Sequence, residues 1–289
     1  MSRVITLPDR GVLVAATDLH GNLRDFRTVV ARFRRLREDG ADPQLVLCGD
    51  LVHGPAISER EWPEHLGTFY EDQTRELLAE AEQLQRDFPG RVHFLLGNHE
   101  HAHLGGPRLS KFHPDEAVAL EHRYAAGGFD PVRDWLTGWP WVAVAPNAGL
   151  VLTHAAPHAQ ITTARDLDDV RLGGYEQIAL HDMPEAGPLG ALLWARTTTA
   201  ERAHAFLHAV NPAANVAVYG HDPIREGHVV EHEPLLCVST SFGCHDGDKV
   251  FLEWDLAHKA TTAEEVARTG LRRLYPDSPP RYRPIVYSG

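Results

Sequence analysis

The chain has 289 residues and a mass of 32.1 kDa, enough for one large α/β domain with a substantial core, since single domains reach about 250 residues. Hydrophobic residues make up 43% and charged residues 24%, which excludes a largely disordered chain. Acidic residues outnumber Lys and Arg by 40 to 28, a formal charge of −12, so no general nucleic-acid or membrane footprint is expected and any phosphate site must be locally positive.

In chain order, Gly11 to Thr17 is a short apolar, β-branched run that predicts a buried strand, with Asp18 at its carboxyl end. From Asn22 to Asp39, Phe26, Val29, Val30, Phe33 and Leu36 recur at spacings of three and four before Gly40, which predicts an amphipathic helix and its stop. Gln44 to Cys48 repeats the strand pattern and runs into Gly49-Asp50. After a helix expected around Thr68 to Phe88, Arg91 to Leu96 repeats it again and runs into Gly97-Asn98-His99-Glu100. A polar, His-rich stretch from His101 to Pro114 follows, with helices expected near Asp115–Ala126 and Pro131–Thr137. We read residues 101–140 as an insertion over the site.

The second half turns toward strands: Trp141–Pro146, Leu150–Thr153 into His154, Asn215–Tyr219 into Gly220-His221, Leu235–Thr240 and Lys249–Trp254, with a helix near Glu201–Val210. A last helix near Ala263–Leu274 leads into a Pro-rich tail from Tyr275 to Pro284, expected as an exposed arm or interface strap. Residues 1–258 form the expected catalytic domain and 259–289 a C-terminal helix and tail. Three cysteines, Cys48, Cys237 and Cys244, form no CxxC pair and no disulfide framework. The first residues lack a signal-type apolar core, and no run of about 20 apolar residues occurs. A cytoplasmic protein without a membrane span is expected.

Nineteen histidines are the most unusual number, because imidazole binds transition metals and moves protons near neutral pH. Open α/β sheets place ligands at the carboxyl ends of their strands. Five strands here end in Asp18/His20, Asp50, Asn98/His99, His154 and His221, groups that suit hard or borderline divalent ions. One Asp shared between two such clusters can bridge a pair of metals about 3.5–4 Å apart.

These residues resemble the calcineurin-like metallophosphoesterases, in particular the phosphoprotein phosphatase branch with its serine/threonine phosphatases and symmetrical diadenosine-tetraphosphate hydrolases. The resemblance spans roughly the first 255 residues. It rests on Thr17-Asp18-Leu19-His20-Gly21-Asn22, Gly49-Asp50-Leu51-Val52, Gly97-Asn98-His99-Glu100, Thr153-His154-Ala155-Ala156-Pro157 and Tyr219-Gly220-His221, all in the family's order.

The resemblance implies a four-layer α/β/β/α sandwich of two mixed sheets flanked by helices. It also implies two divalent metals, manganese foremost, with iron, zinc or cobalt as alternatives. Asp18 and His20 then resemble ligands of the first metal, Asp50 the bridging carboxylate, and Asn98, His154 and His221 ligands of the second. The implied reaction is attack of a metal-bridging hydroxide on phosphorus, with His99 protonating the leaving oxygen.

Two departures matter, of which Thr17 in place of the family's glycine is conservative, because the strand end needs only a small residue. Where the family continues Gly-Asp-x-Val-Asp-Arg-Gly, this chain reads Asp50-Leu51-Val52-His53-Gly54, so the Asp that orients the general acid and the Arg that binds phosphate cannot both be present. His53 either binds phosphate as a cation or orients His99. Arg196, in Leu192-Leu193-Trp194-Ala195-Arg196, is the other phosphate candidate, as a bidentate guanidinium, and Asn98 also faces the substrate. His101, His103 and His113 read as loop residues rather than a third metal site. Asp166, Asp168 and Asp169 read as a solvated charged run.

A phosphomonoesterase acting on a phosphorylated substrate, including protein phosphoserine or phosphothreonine, is the preferred reading, because Gly220-His221-Asp222-Pro223 lacks the Gly-His-x-His of many phosphodiesterases. The alternatives are a dinucleoside-polyphosphate hydrolase and a catalytically weakened metal-binding regulatory relative. The sequence leaves the substrate, the metals and the oligomeric state open.

Overall fold

Alternation along β2 (Val12–Ala16) shows how the layers arise. Leu13 and Ala15 point into one apolar cluster, Val14 and Ala16 into another, so the strand is buried on both faces. The computed structural model describes residues 2–282. Before β2 lies β1 (Val4–Thr6), and after it α1 (Leu23–Glu38), β3 (Pro43–Leu47), α2 (Thr74–Asp87), β4 (Val92–Phe94), α3 (Asn98–His101), α4 (Glu116–Glu121) and α5 (Asp130–Thr137). The second half adds β5 (Val142–Ala145), β6 (Leu150–Thr153), α6 (Gly187–Trp194), α7 (Ala200–Val210), β7 (Val216–Tyr219), β8 (His228–His232), β9 (Leu235–Val238), β10 (Val250–Asp255), α8 (Ala263–Gly270) and β11 (Leu271–Arg273).

Two mixed sheets result. One has the order β11-β10-β2-β3-β4, with β2, β3 and β4 parallel and β10 antiparallel to β2. The other has the order β1-β5-β6-β7-β9-β8, with β6, β7 and β9 parallel. Leu13, Val46, Leu95, Leu152, Val218 and Leu236 meet between the sheets. Helices cover the outer faces: Phe26, Val29 and Phe33 of α1 and Leu77 and Leu84 of α2 pack in the same cluster as Val14 and Leu45. The expected four-layer sandwich is what forms.

Helix α1 begins where its cap dictates, with Asn22 Oδ1 accepting from the Asp25 backbone N–H at 3.1 Å. Helix α2 starts six residues later than the periodicity suggests, at Thr74, whose N–H and hydroxyl both donate to Asp72 Oδ1 in the turn before it. Helix α4 is also shorter than expected. The last helix stops at Gly270, whose Cα sits against Leu252 and Trp254, and Leu271–Arg273 becomes an edge strand on β10. Strands β1 and β8 and helix α6 were not expected from the sequence.

The Pro-rich tail, through Tyr282, is a strap on the protein's own surface rather than a free arm: the Tyr275 hydroxyl donates to Asp25 at 2.7 Å and the Arg281 N–H to Asp248 at 2.9 Å. Arg283 and Pro284 lie outside the described residues. Among the described residues no helix is long and apolar enough to cross a membrane. The three thiols are free and buried, and burial raises each above its ordinary value.

Candidate active site

Parallel strands bring their carboxyl ends together, and the loops after β2, β3, β4, β6 and β7 deliver Asp18/His20, Asp50, Asn98/His99, His154 and His221 to one place. Asp50 is the hub. Its Oδ2 lies 3.5 Å from His20 Nε2 and its Oδ1 3.5 Å from His154 Nε2. Asn98 Oδ1 lies 2.8 Å from His154 Nε2 and 3.0 Å from His221 Nδ1. Asp18 sits beside them with both oxygens accepting from the His221 backbone N–H at 3.0 Å.

The backbone is bent to achieve this. Asp18, His20, Asp50, His53 and His221 are the non-glycine residues with left-handed φ among those described, at 50°, 42°, 53°, 62° and 70°. Such conformations persist only where their surroundings enforce them, and they cluster at functional sites. Glu100, fully buried, enforces the Asp50 turn: Oε2 accepts from the N–H groups of Asp50 and Gly97 at 2.8 and 3.0 Å, and Oε1 from Leu51 at 2.7 Å. Two motif glycines are required by close approach, since a Cβ on Gly97 would lie 2.3 Å from Asp50 Oδ1 and one on Gly220 2.1 Å from Asp18 Oδ2. Thr17 in place of a family glycine buries its hydroxyl on the Val238 carbonyl at 2.7 Å.

The donor set tests whether metals belong here. His154 Nδ1 faces the Cys48 carbonyl at 2.8 Å and His20 Nδ1 the Val52 carbonyl at 3.1 Å, so each imidazole spends its one proton there and turns a lone pair at Nε2 inward. Those lone pairs meet the Asn98 oxygen and the Asp50 carboxylate. Acceptors facing acceptors in a buried site call for a cation between them. The charges agree: burial, reinforced by Asp50, pushes the Asp18 carboxyl up to about 7, and burial with Glu100 raises Asp50 well above the usual carboxylate range. Burial and Lys111 pull His20 down to about 3, and burial draws His221 down as well, leaving neutral rings. The residues fit a divalent metal ion: Asp50, His154 and His221 each bring a ligand atom within 4.8 Å of the others, and so do His20, Asp50 and His99.

His99 lies at the inner wall with Nε2 toward the cleft, 4.0 Å from Asp50 Oδ2, and its backbone N–H donates to Asp50 Oδ1 at 3.0 Å. Behind it are His53 Nδ1, 3.0 Å from His99 Nδ1, and Glu116 Oε2, 3.4 Å from the same atom. His53 is thus buried behind the candidate acid rather than lining the cleft, and burial with neighbouring His103 holds its ring far below the usual imidazole range. That placement is the one the option of orienting His99 calls for. His101, His103 and His113 do not come together: His101 bonds the Leu172 carbonyl, His103 joins His53, and His113 bonds its own loop.

The cleft over the cluster has a volume of about 310 Å³ and carries two cations, Lys111 and Arg196, with Trp194 and Phe242 as walls. Arg196 ion-pairs with Asp222 at the rim. Lys111, from the segment read as an insertion, stands with Nζ 4.2 Å above the Phe242 ring. Burial and then Arg196 pull its ammonium below the ordinary value, while Glu116, then Asp50 and Asp18, pull it back up. Sequence reasoning missed Lys111 and Glu116, because neither follows a strand. The one available signal was the gap left by the shortened second motif.

The model of the calcineurin-like phosphoesterases matches residues 12–262. The chain belongs to that family. This phosphoesterase is therefore a metal-dependent phosphoric ester hydrolase. Its fold is similar to a Saccharomyces cerevisiae protein serine/threonine phosphatase with similarity to human phosphatase PP5, at 15% identity and a TM-score of 0.56, over 87% of this chain and 76% of that one. It is also similar to the cold-active protein-tyrosine phosphatase of a psychrophilic Shewanella, at 19% identity and 0.53, over 91% and 82%. These likenesses show the fold. A search of curated proteins returned no match.

Proposed function

We propose that this phosphoesterase hydrolyses phosphomonoesters, with protein phosphoserine and phosphothreonine among its candidate substrates. The observation that supports the reading most is the shared carboxylate: Asp50 stands between two sets of lone pairs, under a cleft with Lys111 and Arg196 on its walls. When bound, two divalent ions, manganese foremost, supply positive charge against the phosphate and activate water. The remaining work belongs to the chain. Lys111 and Arg196 hold the dianionic phosphate, a match of charge that a diester with its single negative charge uses less well. Val52 O and Cys48 O fix the ligating tautomers of His20 and His154, and Glu100 holds the Asp50 turn. His99, at the wall of the cleft, hands a proton from Nε2 to the leaving oxygen. Asp222, the residue after His221, is taken up by Arg196, which binds the rim cation in place rather than adding a metal ligand.

The test is a panel under one metal: an aryl phosphate, its diester, phosphopeptides, mononucleotides and dinucleoside polyphosphates. The reading predicts the highest kcat/KM on monoesters. Preference for the diester, or for the polyphosphate anhydride, overturns it.

A further inference from the structure

We infer that His53, His103 and Glu121 form a polarised hydrogen-bond chain that fixes the tautomer of His99, making them positioning residues for proton delivery. The inference rests on the proposed role of His99. The chain runs from the surface inward. Glu121, on α4, has a side chain about one-third exposed, and its Oε1 lies 2.8 Å from His103 Nδ1 while Arg133 Nη2 holds Oε2 at 3.0 Å. His103 Nε2 lies 2.9 Å from His53 Nε2, and His53 Nδ1 lies 3.0 Å from His99 Nδ1. His53 and His103 are buried, so water does not compete for these bonds.

With His103 neutral, proton counting gives the direction. A carboxylate only accepts, so His103 Nδ1 carries the proton and donates to Glu121. A neutral imidazole has one N–H, which leaves His103 Nε2 as an acceptor for His53 Nε2–H. His53 Nδ1 is then a lone pair, and it accepts from His99 Nδ1–H. The chain therefore holds His99 as the Nδ1–H tautomer with Nε2 turned toward the cleft. A second proton on His99 can sit only at Nε2, and that is the proton the leaving oxygen receives. In the step the Nε2–H bond breaks and an O–H bond forms on the leaving group, while Nδ1–H stays in place and no member of the chain rearranges. Glu116 completes the arrangement. Its Oε1 is held by the Phe112 N–H at 2.7 Å, and its buried Oε2 has no hydrogen-bond partner, 3.4 Å from His99 Nδ1, placed to balance the doubly protonated ring.

The experiment combines imidazole nitrogen NMR of the zinc-loaded protein with a leaving-group series of phosphomonoesters. In the parent protein His99 should show a protonated Nδ1. In His103→Leu the His99 signals should move toward the other tautomer. Turnover of alkyl phosphates, whose leaving oxygen needs the proton, should fall about 10- to 100-fold, with aryl phosphates of good leaving groups little changed. His103→Gln should restore part of the loss, and Glu121→Ala, at the exposed end, should give a smaller change in the same direction if His103→Leu fails to fold. His99→Ala is the control. If it shows no added loss on alkyl esters, the general-acid role fails and the nitrogen spectra still report the tautomer. A parent His99 protonated at Nε2 and bare at Nδ1, or spectra and leaving-group dependence unchanged in the folded variants, overturns the chain.

Discussion

Two buried polar clusters lie at the carboxyl ends of the strands, and they are built on opposite principles. Around Asp25 every charge is answered: Lys249 Nζ lies 2.7 Å from Oδ2, which also accepts from Ser241 at 2.6 Å and Asn22 at 2.9 Å, while Tyr275 donates to Oδ1 at 2.7 Å. That knot joins the start of α1, the loop after β9, the lead-in to β10 and the C-terminal strap. Around Asp50 the carboxylate accepts the His99 backbone N–H at 3.0 Å, but among the described residues no Lys or Arg pairs with it. Lone pairs of His20 and His154 face its carboxylate, the Asn98 oxygen faces His154, and the backbone at Asp50 and His20 is left-handed. A balanced cluster holds a fold together, whereas an unbalanced one is held in place by the fold for something that comes from outside.

The comparison can be broken first at the balanced side. Lys249→Met leaves the Asp25 carboxylate buried and unpaired and should cost about 3–5 kcal/mol of stability, read by denaturant unfolding, without changing kcat of the folded fraction. Adding Asp25→Asn should recover part of it. A stable Lys249→Met protein with lost turnover would assign the knot to catalysis and erase the contrast. Next in size, Lys111→Ala should raise KM for phosphomonoesters by the worth of a charged hydrogen bond, about 1.5–3 kcal/mol, with a smaller change in stability. An unchanged KM removes Lys111 from phosphate binding. The smallest effect is proton linkage. With Asp18 held up to about 7 in the metal-free protein, a proton must leave before an ion enters, so metal affinity should fall as pH drops below about 7, by about tenfold per unit per proton displaced. Titrations in buffers of different ionisation enthalpy would show the released proton, and pH-independent affinity would contradict that account.

Most of the ligand cluster is legible in the sequence, because each member directly follows an apolar strand and the parallel topology needs only strand order to bring such ends together. The central strands and α1 are legible for the same reason, with periodicity and cap agreeing. What is not legible depends on loops and edges. Strands β1 and β11 are three residues long, β8 is a half-exposed run of five rich in His and Glu, and all three lie at sheet edges, so their patterns carry little apolar signal. Lys111 lies in an irregular segment and Glu116 at the start of α4, and their placement is set by contacts such as the local Phe112 N–H to Glu116 and the long-range Arg123 to Asp72, which no periodicity announces. His53 sits one residue past a recognisable motif, and only its left-handed turn, which no sequence pattern announces, directs it behind His99 instead of into the cleft.

The central claim is that the Asp50 cluster is unbalanced because it holds metal. The most direct test strips the protein of metal and titrates it with Mn²⁺, following bound metal per chain and turnover of an aryl phosphate, with Asp50→Asn alongside. The account predicts two ions bound per chain, turnover that appears with them, and an Asp50→Asn protein that is folded, binds metal poorly and lacks activity. Full turnover by the metal-free protein, or by Asp50→Asn, would contradict it.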